Sequence, residues 1–143
     1  MSSDNIPKIR VMMIIEVLGR PPEHLIETLN NLIEKINSEK GVKVVDKKIS
    51  EPNPLQNQEN LFTAFAELEV EVEEVLLITM LMFKYMPAHI DVLYPEDLQL
   101  TNHELNDILN ELTRRLHGYD EVARIIQSEK AILERKLKEL TKK

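Results

Sequence analysis

Apolar and polar positions along the chain change period several times, and each change marks an element. Ile9 to Leu18 alternates, with Ile9, Val11, Met13, Ile15 and Val17 on one side and Arg10, Met12, Ile14, Glu16 and Leu18 on the other. Successive strand side chains face opposite ways, and here both sides are apolar in the middle, so a central strand covered on both faces is predicted. Gly19-Arg20-Pro21-Pro22 breaks the strand, and proline suits the first turn of the helix that follows. Leu25, Ile26, Leu29, Leu32, Ile33 and Ile36 carry its helical spacing as far as Gly41, a left-handed cap.

A second strand, Val42 to Ile49, carries Lys43, Lys47 and Lys48, as an edge strand does to discourage pairing with other chains. Glu51 to Asn60 reads as a polar loop and the best candidate for a mobile segment. Phe62 to Val72 alternates again, with Phe62, Ala64, Ala66, Leu68, Val70 and Val72 opposite Thr63, Phe65, Glu67, Glu69 and Glu71. Val75 to Met86 is apolar nearly all round, which predicts a helix buried by more than one layer and stopped by Pro87. A fourth strand runs from His89 to Tyr94.

Strand, helix, strand, strand, helix, strand is the ferredoxin-like split pattern, so the expected fold is an α+β βαββαβ sandwich occupying residues 1–100. Residues 101–143 read as a C-terminal helical hairpin extension. Thr101 and Glu104 make a capping box with Leu100 and Leu105 as its staple, Leu105 to Leu116 forms an apolar stripe, Gly118 ends the first helix and Asp120 caps the second. The hairpin, or a partner subunit, is expected to lie across the second sheet face, where Met12, Ile14, Leu18, Phe65 and Leu93 need a cover. The last helix has a partial heptad, with Ile126, Leu133 and Leu140 at one core position and Ala123, Lys130 and Leu137 at the other. Helix pairs Asp120–Arg124, Glu134–Lys138 and Glu139–Lys143 support an exposed helix.

Composition narrows the function more than it defines it. The chain has 143 residues, 43% of them hydrophobic, and a net charge of −7. That is one domain's worth of chain with enough apolar content for a core. An acidic surface repels phosphate backbones, so no generic nucleic-acid binding is expected. There is no cysteine, hence no disulfide, thiolate nucleophile or Cys-based metal site. The polar start, Met1 to Lys8, lacks an apolar signal region, and the longest apolar run, Val75 to Phe83, is far below the roughly 18–20 residues of a membrane span. A cytoplasmic protein with no membrane association is expected.

Candidate chemistry is sparse. His103-Glu104-Leu105-Asn106-Asp107 is a near miss of the zinc-protease motif, with Asp107 where a second histidine is required. Glu67, Glu69 and Glu71 align on one strand and can bind a hard cation, or pair with Lys43 or Lys47 across the strands. The plainer readings, a solvated helix face and cross-strand pairing, are preferred, and neither a metal nor a cofactor is expected. His24, His89, His103 and His117 are scattered, and no catalytic arrangement is discernible.

The run Ile14 to Leu25, with its Gly19-Arg20-Pro21-Pro22 turn, followed by Gly41-Val42-Lys43-Val44-Val45, resembles the first half of an ACT-type regulatory domain. Such domains bind amino acids and dimerise, and the resemblance implies ligand contacts at Gly19, Arg20 and His24. Pro22 stands where those domains often carry a glycine that lets a ligand approach the backbone. The whole chain is also similar in style to small uncharacterised archaeal proteins, which implies no function. The expectation is a non-enzymatic interaction or regulatory protein, a homo-oligomer or one bound to an unlike partner through Ile126, Leu133, Leu137 and Leu140. An ACT-like small-molecule sensor using the 19–24 turn is the alternative.

Overall fold

The computed structural model describes residues 8–142. Most of the polar start, Met1 to Lys8, and Lys143 of the Glu139–Lys143 pair lie outside the described residues. The elements are β1 (Ile9–Gly19), α1 (Pro22–Ser38), β2 (Val42–Ile49), β3 (Asn53–Pro54), β4 (Phe62–Val72), α2 (Val75–Tyr85), β5 (His89–Tyr94) and α3 (Asn102–Thr141). The fold is α+β. One antiparallel sheet has the order β2-β4-β1-β5, and β3 extends the β2 side by pairing with β4. β1 is interior and β2 lies at an edge, as the two alternations and the three lysines predict.

Alternation decides what is buried. Ile9, Val11, Met13 and Ile15 of β1 and Ala64, Ala66, Leu68, Val70 and Val72 of β4 face the helices and are buried. Register pairs these two sets directly, Val11 with Val70 and Met13 with Leu68. Against them pack Leu25, Leu29, Ile33 and Ile36 of α1 and Ile78 and Leu81 of α2, in one apolar cluster. Both helices therefore cover the same sheet face. At roughly 1.5–3 kcal/mol for a fully buried aliphatic side chain, this layer dominates the gross stabilisation. Gly41 has φ +78°, the left-handed conformation that turns the chain from α1 into β2.

Several expectations are corrected. The C-terminal hairpin is a single 40-residue helix, about 60 Å long at 1.5 Å per residue. Gly118 does not end it: its backbone stays helical and nothing lies within 4 Å of where its Cβ would be. An exposed glycine costs a helix interior only about 1 kcal/mol, too little to break it. Asp120 serves as an ordinary helix residue, 3.0 Å from Arg124.

The second sheet face is not covered by α3, which packs against α2. That face is a wet, mixed-charge surface, as an antiparallel sheet allows. Arg10 reaches Glu71 at 2.9 Å and Glu69 at 3.9 Å, and Thr63 donates to Glu16 at 3.0 Å. Leu18 and Phe65 are exposed on it. Leu93 does not belong to its regular row: a register shift between Arg10 and Val11 sets Tyr94 opposite Arg10 and Val92 opposite Val11, leaving Leu93 at the irregularity. A second shift, between Val44 and Asp46, places Lys47 opposite Leu68 and Lys48 opposite Glu67, so of the two lysines expected to face glutamates only Lys43, opposite Glu71, does.

The burial of α2 is also less than its composition predicts. Ile78, Thr79 and Leu81 are buried, whereas Met80, Met82 and Met86 are exposed. The polar loop is partly tethered: Asn53 and Pro54 pair with Thr63 and Phe62, and Leu55 N–H donates to the Leu61 carbonyl at 2.9 Å.

Candidate functional site

The residues that the ACT resemblance singles out sit at the strand-to-helix turn. Gly19 closes β1 and is half-buried, and an added Cβ there would come within 3.3 Å of Leu25 Cδ2. Its small size thus has a packing cause in the seat of α1. Arg20 and His24 are exposed. His24 Nδ1 lies 3.9 Å from Glu27 Oε2, and its carbonyl accepts from Thr28 Oγ1 at 2.8 Å. Glu23 places a carboxylate in the first turn of α1, which opposes an anionic ligand at that terminus. None of the three grooves described below is lined by Gly19, Arg20 or His24.

The acidic and histidine clusters are occupied by their neighbours. Glu71 is bonded to Arg10, whose guanidinium holds the carboxyl below the usual carboxylate range. His103 Nε2 lies 3.7 Å from Asp107 Oδ2 on an exposed turn of α3. Among the described residues no group of three or more His, Asp or Glu is placed to hold a metal ion.

Three of the surface grooves are formed by the described residues as follows. One of about 510 Å³ runs between α2, β5 and α3, lined by Met82, Phe83, Met86, Ala88, Ile90 and Tyr119 among others. One of about 360 Å³ lies between α1 and β2 at Asn37, Val44 and Asp46, and one of about 170 Å³ at the β2–β4 end near Lys43 and Glu71. The first is the most apolar of the three in its lining residues. It exists because α3 docks on α2 rather than on the sheet.

That docking is built from few side chains. Thr101 caps α3 by accepting from Glu104 N–H at 3.1 Å, the first bond of the capping box, and the Thr101 hydroxyl donates to the Glu104 carboxylate at 3.2 Å, so that the Glu104 side chain meets the cap's hydroxyl rather than its backbone N–H. The Tyr119 and Phe83 rings have centroids 5.9 Å apart, and the Arg115 guanidinium lies 5.8 Å from the Phe83 centroid. Glu111 accepts from Arg114 and Arg115, which hold its carboxyl below the ordinary value. Ile108, Glu111, Leu112 and Arg115 are the half-buried residues of α3, and none of its residues is fully buried.

Beyond Tyr119 the helix meets no such cover. The residues expected to carry an interaction, Ile126, Leu133, Leu137 and Leu140, are 57%, 65%, 62% and 77% exposed. The structure brings these four to one side of one helix. It also adds what reading the chain as two helices concealed: without a break at Gly118, the 4,3 spacing of Ile126, Leu133 and Leu140 continues back through Tyr119, Leu116, Leu112 and Leu109 to Leu105. The signal was present in the sequence, since a turn at Gly118 would have dephased the two stripes.

The model of the MJ0538 family matches residues 10–141. No curated protein and no solved structure matches.

Proposed function

The chain belongs to the MJ0538 family, and from its geometry we propose that it is a non-enzymatic interaction or regulatory protein that associates with itself. The observation that carries this reading is the distal half of α3, where Ile126, Leu133, Leu137 and Leu140 are all more than half exposed. Soluble monomers rarely leave so long an apolar stripe in water, because hiding it from water is favourable. The sheet and its two covering helices act as the head that carries this helix. Their order, with β5 and β4 flanking β1 and β2 outermost beyond β4, supports a ferredoxin-like core. A cytoplasmic setting goes with the reading. No helix among the described residues is long and apolar enough to cross a membrane.

The second reading is an ACT-like amino-acid sensor at the 19–24 turn. It is favoured by the placement of Gly19, Arg20 and His24 where β1 hands over to α1. Two measurements separate the readings. Light scattering on the full chain at tens of micromolar is expected to give a multiple of 16.6 kDa. A thermal-shift screen with amino acids, nucleotides and divalent metals is expected to leave the melting temperature unchanged. A monomer with an intact α3, together with a specific shift by one amino acid, reverses the order of the two readings.

A further inference from the structure

We propose that α3 pairs with α3 of a second copy of this chain in a parallel, in-register, two-stranded coiled coil whose seam runs from Leu116 to Leu140. The inference rests on the self-association reading and adds the surface, the orientation and the number of chains.

The period comes first. Leu116, Ala123, Lys130 and Leu137 recur every seven residues, and Tyr119, Ile126, Leu133 and Leu140 follow each of them by three. A straight α-helix drifts about 20° per heptad from such a repeat, so a stripe kept to 3.5 residues per turn stays aligned only against a helix that supercoils with it. A helix docked on a globular surface shows the wider 3.6-residue face instead. The head uses only the first step of this seam, where the Tyr119 ring packs on Phe83; Leu116 is 62% exposed, and every described residue from Ala123 onward is exposed.

Orientation follows from the one charged residue in the seam. In a parallel, in-register pair the two Lys130 side chains share one layer. The residues bordering that layer are Glu129 and Glu134 of both chains, so four carboxylates surround two ammonium groups. Within one chain Lys130 Nζ already lies 4.0 Å from Glu134 Oε1. The glutamates, which would repel one another across the pair, are thereby bridged by lysine. An antiparallel pair instead opposes each residue of the first set with one of the second, setting Lys130 against Ile126 or Leu133 and spoiling two apolar layers. A single polar residue at such a position is a known means of fixing register and strand number. Two strands suit a lysine best, because its long stem can cover the seam while its head stays wet.

The full-length chain tests each part, and its lack of cysteine makes a single thiol informative. Wild type at tens of micromolar is expected to have twice the mass of the chain. Ala123→Cys is expected to oxidise to a covalent dimer under mild conditions, since position 123 faces itself only in the parallel register. Leu133→Asp is expected to weaken association by about 100-fold or more while the head keeps its melting transition, and Lys130→Leu to tighten it about tenfold. A monomeric wild type overturns the inference and the self-association reading together. A dimer indifferent to Leu133→Asp leaves self-association standing and overturns the coil. A Leu133-dependent dimer that does not cross-link at 123 overturns the orientation. Three or four chains overturn the strand number.

Discussion

The two halves of the molecule treat their leucines in opposite ways. In the head, Leu29, Leu68 and Ile36 are inaccessible to water, because strand alternation and helical spacing aim them at one another within a single chain. In the distal half of α3, Leu133 and Leu140 are as apolar and lie in water. Composition does not separate the halves; the period does. Where apolar residues follow the strand period of two or the wide helical face, the chain supplies its own cover. Where they follow 3.5, the cover we propose is a second helix.

If that contrast holds, a charge in the head and a charge in the tail have unlike effects. Leu81→Asp puts a carboxylate at a site only 4% exposed, between α2 and the sheet. It is expected to cost roughly 4 kcal/mol or more and to unfold the head, by circular dichroism and near-neutral thermal melting. The same substitution at Leu133 is expected to leave the head's transition within a few degrees. A head that melts normally with Leu81→Asp would show that α2 is peripheral and erase the distinction.

Glycine sharpens the comparison. Gly41 has φ +78°, and its Cβ would lie 2.9 Å from Leu77 Cδ1. Gly41→Ala is expected to cost about 1–2 kcal/mol, because an L side chain is strained in that conformation. Gly118 lies in regular helix with open space beside it, and Gly118→Ala is expected to add about 1 kcal/mol to the helix. Melting of the two variants by circular dichroism should move in opposite directions. A loss at Gly118 would mean that the helix bends there, as a hairpin reading requires.

The head was legible in the sequence where one period governs one element. Phe62 to Val72 and Leu25 to Ile36 named their own buried faces, Ile9 to Leu18 named an interior strand but has only one of its two apolar faces buried, and the lysines of β2 marked an edge. What was not legible depends on one residue more or less. The shifts at Val45 and near Leu93 exchange which side chain faces which sheet surface, and nothing in the local composition announces them. α2 misled through its methionines: its sequence is apolar all round, but the single layer beneath it and the partial cover by α3 leave Met80, Met82 and Met86 in water. Of the candidate sites, the terminal stripe was expected from its heptad, and its side chains are exposed. Its full length was hidden by giving Gly118 and Asp120 the roles they have in loops. The 19–24 turn rests on resemblance, and its geometry adds a packing cause for Gly19 without an enclosed place for a ligand.

The smallest expected effect concerns the seam between α1 and α2 within the head. Glu39, at the end of α1, accepts from Tyr85 Oη at 2.7 Å and pairs with Lys84, both on α2. These two donors, Lys84 first, hold its carboxyl below the ordinary range, whereas burial, reinforced by the Glu39 carboxylate, pushes the Tyr85 hydroxyl up to about 12. A carboxyl depressed in the folded state stabilises the protein above its unfolded pKa of about 4.3, and that contribution is lost as pH falls through the folded value. A tyrosine raised in the folded state acts in the other direction. Its contribution is complete below about pH 10, where the unfolded chain still holds the proton, and is lost as pH rises towards 12. Glu39→Gln keeps an acceptor for Tyr85 but removes the charge. It is expected to lower the melting temperature slightly at pH 7, and the gap from wild type should close as both are taken to pH 3. Tyr85→Phe should remove the corresponding part of the alkaline loss between pH 10 and 12. Since Leu133 lies outside this contact, the same pH series on the Leu133→Asp chain should reproduce the wild-type shape of the head's transition. A gap between wild type and Glu39→Gln that stays constant down to pH 3 would show that the contact holds the helices by shape and not by charge.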